Sequence, residues 1–141
     1  MSEMWAAAKA LVLYNNRVLI IRRSSYIETG AGEWDIPGGG MQFGETMQEC
    51  LTREAKEETG LNVRVERLLF ATTRLVTPVR QIIILVYLCH ADSDEVMLSH
   101  EHTDYLWATP EQLKDRLSPS ALAMYIENGV FDMLDNAMAT A

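Results

Sequence analysis

Twenty-four residues, GGGMQFGETMQECLTREAKEETGL at 38–61, constrain this chain more than any other part of it. Three glycines open the stretch, a helical period follows, and Gly60 is the expected residue just past a helix end. On a helix at about 100° per residue, Met47, Cys50, Leu51 and Ala55 share one arc. Glu54 and Glu58 fall inside that arc and Glu57 at its edge, whereas Glu49, Thr52 and Lys56 point away. Carboxylates on the inward stripe are costly unless a cation meets them. They also crowd the last turn, where the helix dipole disfavours negative charge. A turn that breaks two local rules at once points to function. Hard carboxylate oxygens suit magnesium, with manganese as the alternative ion. The competing structural reading is a solvated Glu-rich face partly offset by Arg53 and Lys56. The Asp-rich spacing of a calcium loop is missing.

The stretch resembles the signature of the Nudix hydrolases, G-x5-E-x7-R-E-U-x-E-E-x-G-U with U bulky and apolar. Gly39, Glu45, Arg53, Glu54, Ala55, Glu57, Glu58, Gly60 and Leu61 meet it, with Ala55 small for its position. From average residue usage, a chance match is on the order of one in a billion per start site, so the resemblance is specific. The preceding Trp34-Asp35-Ile36-Pro37-Gly38 is also similar to the family's approach to this box. The resemblance implies an α/β fold: a Nudix-type α/β/α sandwich around a mixed β-sheet. It implies Mg2+ (or Mn2+) bound by Glu54, Glu57, Glu58 and the carbonyl of Gly38, with Arg53 orienting the glutamates. In the family an arginine near Arg22 and Arg23 often faces the substrate, and a glutamate in the loop holding Glu101 often serves as metal ligand or general base. Glu57, Glu58 and Glu101 are all candidates for that base.

The implied activity is metal-dependent cleavage of a phosphoanhydride bond in a nucleoside diphosphate linked to another moiety, for example an ADP-sugar. Two alternatives stand beside it. One is a nucleoside triphosphate pyrophosphatase that cleans the nucleotide pool; the other is a non-hydrolytic module that binds a nucleotide derivative. The substrate is a small nucleotide-type molecule in each case, and because many relatives dimerise, a homodimer is among the assemblies the resemblance implies.

With 141 residues, the chain is read as one domain over 1–141. Its net charge of −8 argues against nucleic acid as partner, yet a bound metal would reverse the local sign for a phosphorylated small molecule. Cys50 and Cys89 lack metal-type spacing and read as buried thiols of a reducing compartment. Neither a signal peptide nor a bilayer-length apolar run is evident, so the expectation is cytoplasmic with no membrane partner.

Around the box, residues 5–13 and 17–22 read as a hairpin turned at Asn15-Asn16. Arg22 and Arg23 are either a charged strand end or phosphate contacts. Residues 24–33 form a polar loop, and Gly40 a plain tight turn. Glu45 is placed at the helix start, favoured there by the dipole. Residues 62–77 and 80–90 pair around Pro78, which leaves Arg74 and Arg80 near the tip, exposed or within reach of an anionic substrate. Residues 92–102 are a loop containing His100, Glu101 and His102, whose spacing fits no common helical zinc site. A short strand at 105–107 precedes a helix from Thr109-Pro110 to Leu117. A further helix runs from Ser118-Pro119 to about Leu134, followed by a frayed tail.

Overall fold

The computed structural model describes residues 1–26 and 30–139. Strands β1 (Glu3–Tyr14) and β2 (Arg17–Arg23) form the expected hairpin, with Asn15 and Asn16 both at positive φ. Two short strands follow, β3 (Trp34–Asp35) and β4 (Gly38–Gly40), and then helix α1 (Met47–Thr59). Strands β5 (Val63–Thr77) and β6 (Arg80–Ala91) pair antiparallel around Pro78 as the β-rich runs predict. β7 (His102–Ala108) and helices α2 (Pro110–Arg116), α3 (Pro119–Glu127) and α4 (Val130–Ala139) complete the chain.

The sheet runs β3-β2-β1-β6-β5, with β4 paired to β1 and β7 to β2. It is mixed because β1 and β6 lie parallel while every other pairing is antiparallel. Alternation along β1 splits the interior in two. Ala8, Ala10 and Val12 pack with Cys50 and Leu51 of α1 on one face. Leu11 joins Ile84, Val86 and Leu88 of β6, Leu113 of α2, Tyr125 of α3 and Leu134 of α4 on the other. β6 thus serves both layers, which accounts for its near-continuous apolar sequence. The result is the α/β/α sandwich.

Three expectations are corrected. Gly40 is not a plain turn: Gly38–Gly40 is a strand in register with Lys9, Ala8 and Ala7. The helix expected over 118–134 is two helices, interrupted at Asn128 and Gly129, where Gly129 takes φ +69°. The apolar period continues across the break, which hides it, but a left-handed glycine ends a helix whatever follows. The tail expected to fray from 135 instead continues α4 to Ala139. Residues 27–29 of the expected polar loop and 140–141 of the tail lie outside the described residues.

Candidate active site

α1 is fastened at both ends. Thr46 caps its N-terminus in a reciprocal capping box with Glu49, and Gly60 ends it at φ +74°. The last carbonyls, which have no partner inside a helix, accept from the loop that follows β6: Ser99 N–H donates to Glu58 O at 3.1 Å and Met97 N–H to Thr59 O at 2.8 Å. These two bonds draw the loop carrying Glu101 onto the turn that carries the glutamates. Ser24 N–H donates to Glu101 O at 2.8 Å and holds it from the other side.

Arg53 is the hub of the acidic turn. Its Nε and Nη2 donate to the two carboxylate oxygens of Glu45 at 2.6 and 2.9 Å, a bidentate pairing. Nη1 donates to Glu54 at 2.9 Å and to Glu57 at 3.3 Å, and Nη2 also reaches the carbonyl of Gly40 at 3.2 Å. Hydrogen bonding to Arg53, then to the Gln42 backbone, holds the Glu45 carboxyl down at about 2. Glu45 itself precedes the cap residue Thr46, so its place is decided by Arg53 rather than by the helix dipole.

The three glutamates of the last turn are not equivalent. The side chain of Glu57 is 58% exposed and that of Glu54 only 14%. Glu58 accepts from Gly38 N–H at 2.8 Å, and burial raises its carboxyl to about 7 against that hydrogen bond, with the charges of Glu54 and Glu101 adding to the rise. The glycines explain the approach. A Cβ on Gly39 would lie 2.7–2.8 Å from the Glu54 carboxylate, and one on Gly38, at φ +149°, would lie 2.4 Å from the carbonyl oxygen of Ala8. Only a bare backbone passes between β1 and the acids.

This donor set fits a hard divalent ion. Glu54 and Glu58 repel one another in a desolvated place, and a dication there would relieve both burial and repulsion. Among the described residues no three His, Cys, Asp or Glu side chains are gathered as a finished metal cage. Magnesium does not require one, since it keeps several waters and takes few protein ligands.

The arginines separate. Arg74 lines two cavities beside the site, of about 260 and 500 Å³, and Arg23 lines the larger. Arg22 donates to the carbonyl of Gly32 at 3.0 Å and faces Asp104, while Arg80 stacks on Trp5 at 4.7 Å and pairs with Glu3 at 3.3 Å. Neither lines either of those two cavities. His102 is buried, with burial and then the charge of Arg23 lowering its pKa, and its Nδ1 lies 3.4 Å from Ser99 Oγ. Both cysteines are buried, and burial pushes the Cys89 thiol up to about 12. Lys9, Asp35 and Tyr125 also line the smaller cavity. Asp35 belongs to the approach to the box and was legible there; Tyr125 carried no local signal.

Comparison with known proteins agrees with this geometry. The chain is 32% identical over 113 residues to a MutT-like protein of Streptomyces ambofaciens, covering 80% of this chain and 68% of that one. It is 29% identical over 117 residues to the nucleoside triphosphatase NudI of Enterobacter sp. (strain 638), covering 73% and 80%. The solved MutT protein from Methanosarcina mazei Go1 superposes with a TM-score of 0.77 at 26% identity, over 96% of each chain. Members of the NUDIX family cleave phosphoanhydride bonds and generally use divalent metal ions. With the NUDIX domain model matching residues 4–127, and with the box acids converging on the glycine strand, the chain belongs to the Nudix hydrolases.

Proposed function

We propose that the chain is a divalent-metal-dependent pyrophosphohydrolase that cleaves nucleoside triphosphates to the monophosphate and pyrophosphate. The observation that carries this is the pair Glu54 and Glu58, drawn into a desolvated place behind the side-chain-free backbone of Gly38–Gly40. One further point favours a triphosphate over the sugar nucleotide expected first. A relative bears the name nucleoside triphosphatase.

In this reading Glu54, Glu57, Glu58 and the Gly38 carbonyl hold Mg2+, for which Mn2+ can substitute. The bound ion supplies charge neutralisation of the polyphosphate and acidifies the attacking water. Arg53 fixes Glu54 and Glu57 from behind and is itself anchored on Glu45. Gly38 N–H orients Glu58. Glu57, Glu58 or Glu101 takes the proton from the attacking water, since all three belong to the same end of α1 and its docked loop. Arg23 and Arg74 face the polyphosphate from the second cavity; Arg22 and Arg80 are committed to other partners.

The test is a panel of nucleoside triphosphates and sugar nucleotides incubated with magnesium, with products resolved by chromatography. Triphosphates yielding monophosphate and pyrophosphate are expected to be the fastest substrates. Faster turnover of an ADP-sugar would overturn the reading.

A further inference from the structure

Lys9 is the one charged residue in the run from Met4 to Leu13. Its neighbours Ala8 and Ala10 pack against α1, so alternation along β1 turns its own side chain to the opposite face of the sheet. There the cavities of about 260 and 500 Å³ adjoin, both lined by Lys9, Asp35 and Arg74, with Arg23 in the wall of the larger. Lys9 is also paired in register with Gly38, and a Cβ on that glycine would lie 2.6 Å from the Lys9 Cα. It therefore abuts the glycine strand that Glu54 and Glu58 also meet, and its charge acts on Glu58.

A lysine at this point of a core strand needs a reason. Its side chain is only 23% exposed, and an apolar residue there would continue the run without desolvating a charge. Among the described residues the ammonium has one hydrogen-bond partner, Asp35 Oδ2, while Asp35 Oδ1 accepts from Ile36 N–H at 2.8 Å. An ammonium carries three donors, so Asp35 aims the group and leaves two for something else. The larger cavity sets Lys9, Arg23 and Arg74 against the carboxylates of Glu33 and Asp35, a local excess of positive charge in a chain of net charge −8. A cationic cleft on an acidic protein gathers anions, and this one opens beside the acidic turn.

We propose that Lys9 is a substrate-binding residue whose ammonium, aimed by Asp35, donates to the polyphosphate where it crosses the glycine strand between Arg23 and Arg74 on one side and Glu54 and Glu58 on the other. The proposal rests on the nucleotide-hydrolase reading of those acids. Asp35 is then a positioning residue: its carboxylate holds the ammonium in the free protein and keeps it from collapsing onto Glu58. The two donors that Asp35 leaves unused go to phosphate oxygens, and charge-assisted bonds of this kind are stronger than neutral ones.

The test compares the wild-type protein with Lys9→Met, Lys9→Arg and the double variant Lys9→Met/Asp35→Asn. Calorimetric titration with an α,β-imido nucleoside triphosphate in magnesium reads binding without turnover, and hydrolysis of the ordinary triphosphate is measured alongside. Kd is expected to rise about tenfold in Lys9→Met, and KM likewise, with kcat within about threefold of wild type. Lys9→Arg, which keeps the charge, should restore most of the affinity. The double variant leaves no orphaned carboxylate, so it decides the matter even if Lys9→Met folds poorly. Its Kd should stay about tenfold above wild type. Recovery of wild-type affinity in the double variant would show that an unpaired Asp35 repels the phosphates, and it overturns the contact. A Kd within about twofold of wild type in Lys9→Met overturns it too. Weaker binding of the analogue by Lys9→Met and by the double variant, set against a wild-type protein that binds it but hydrolyses no triphosphate, sustains the contact while removing the hydrolytic reading.

Discussion

Gly39 lies so close to Glu54 that a single methyl group on it would sit 2.7 Å from the carboxylate carbon. That approach is tighter than van der Waals contact allows, so the end of Glu54 must shift, at the expense of its 2.9 Å bond to Arg53. Gly39→Ala is therefore expected to displace the carboxylate and weaken metal binding by roughly 10–100-fold, the usual cost of disturbing a ligand's support. Gly40→Ala, with open space at its Cβ, serves as the comparison and should leave metal affinity nearly unchanged. Manganese titration of both variants checks the pair.

Arg53 serves Glu45, Glu54 and Glu57 at once through a planar fork. A lysine retains the charge but loses the bidentate geometry. Arg53→Lys is expected to lower kcat by roughly 10–100-fold, by leaving the acids unaimed rather than by removing a charge. Steady-state kinetics at saturating magnesium distinguishes the loss from weaker metal uptake. Retention of full kcat would show that the fork is dispensable.

Glu58 makes stability depend on pH in an unusual direction. Its carboxyl is raised from 4.5 to about 7, so between those values the folded protein holds a proton the unfolded chain has released. In the absence of metal, this group's unfavourable contribution therefore grows as pH rises from about 4.5 to 7, reaching roughly 3 kcal/mol at most. Glu45, lowered to about 2, acts oppositely: its stabilisation is present above 4.5 and is lost as pH falls towards 2. Thermal unfolding in chelator is expected to show Tm falling from pH 5 to 8, with Glu58→Gln abolishing most of that slope. Magnesium should raise Tm most at the alkaline end, where the carboxylate is charged.

Glu57→Gln and Glu58→Gln are each expected to abolish turnover while leaving the fold intact. Neither side chain is needed for packing, since the apolar contacts of α1 come from Cys50, Leu51 and Ala55. Circular dichroism together with product assay checks this, and near-normal hydrolysis by both variants would refute the assigned roles.

Gly129 isolates a purely conformational effect. It holds φ +69° between α3 and α4, and an added Cβ would meet nothing within 4 Å. Gly129→Ala is therefore expected to cost about 1–2 kcal/mol from backbone strain alone, read by urea unfolding, with activity unaffected.

What could be read from residues in order was whatever local period and spacing encode. The helical stripe of Met47, Cys50, Leu51 and Ala55, the inward placing of Glu54 and Glu58, the Gly60 stop and the two hairpins all follow from angles per residue and turn chemistry. Belonging to the Nudix family was legible for the same reason, because its signature occupies one uninterrupted loop and helix. Tertiary structure decided everything that depends on what lies opposite. Spacing makes Glu57 and Glu58 neighbours, but only the approach of Gly38 buries one and leaves the other in water. Arg74 and Arg80 flank one hairpin tip, yet one lines the cavities and the other stacks on Trp5. The charge of Glu101 acts on Glu58 because the loop before it hydrogen-bonds the end of α1, and the charge of Asp35 acts on Tyr125 across some ninety residues of chain. Burial and field are properties of surroundings, and a sequence places in order only the neighbours that the backbone itself connects.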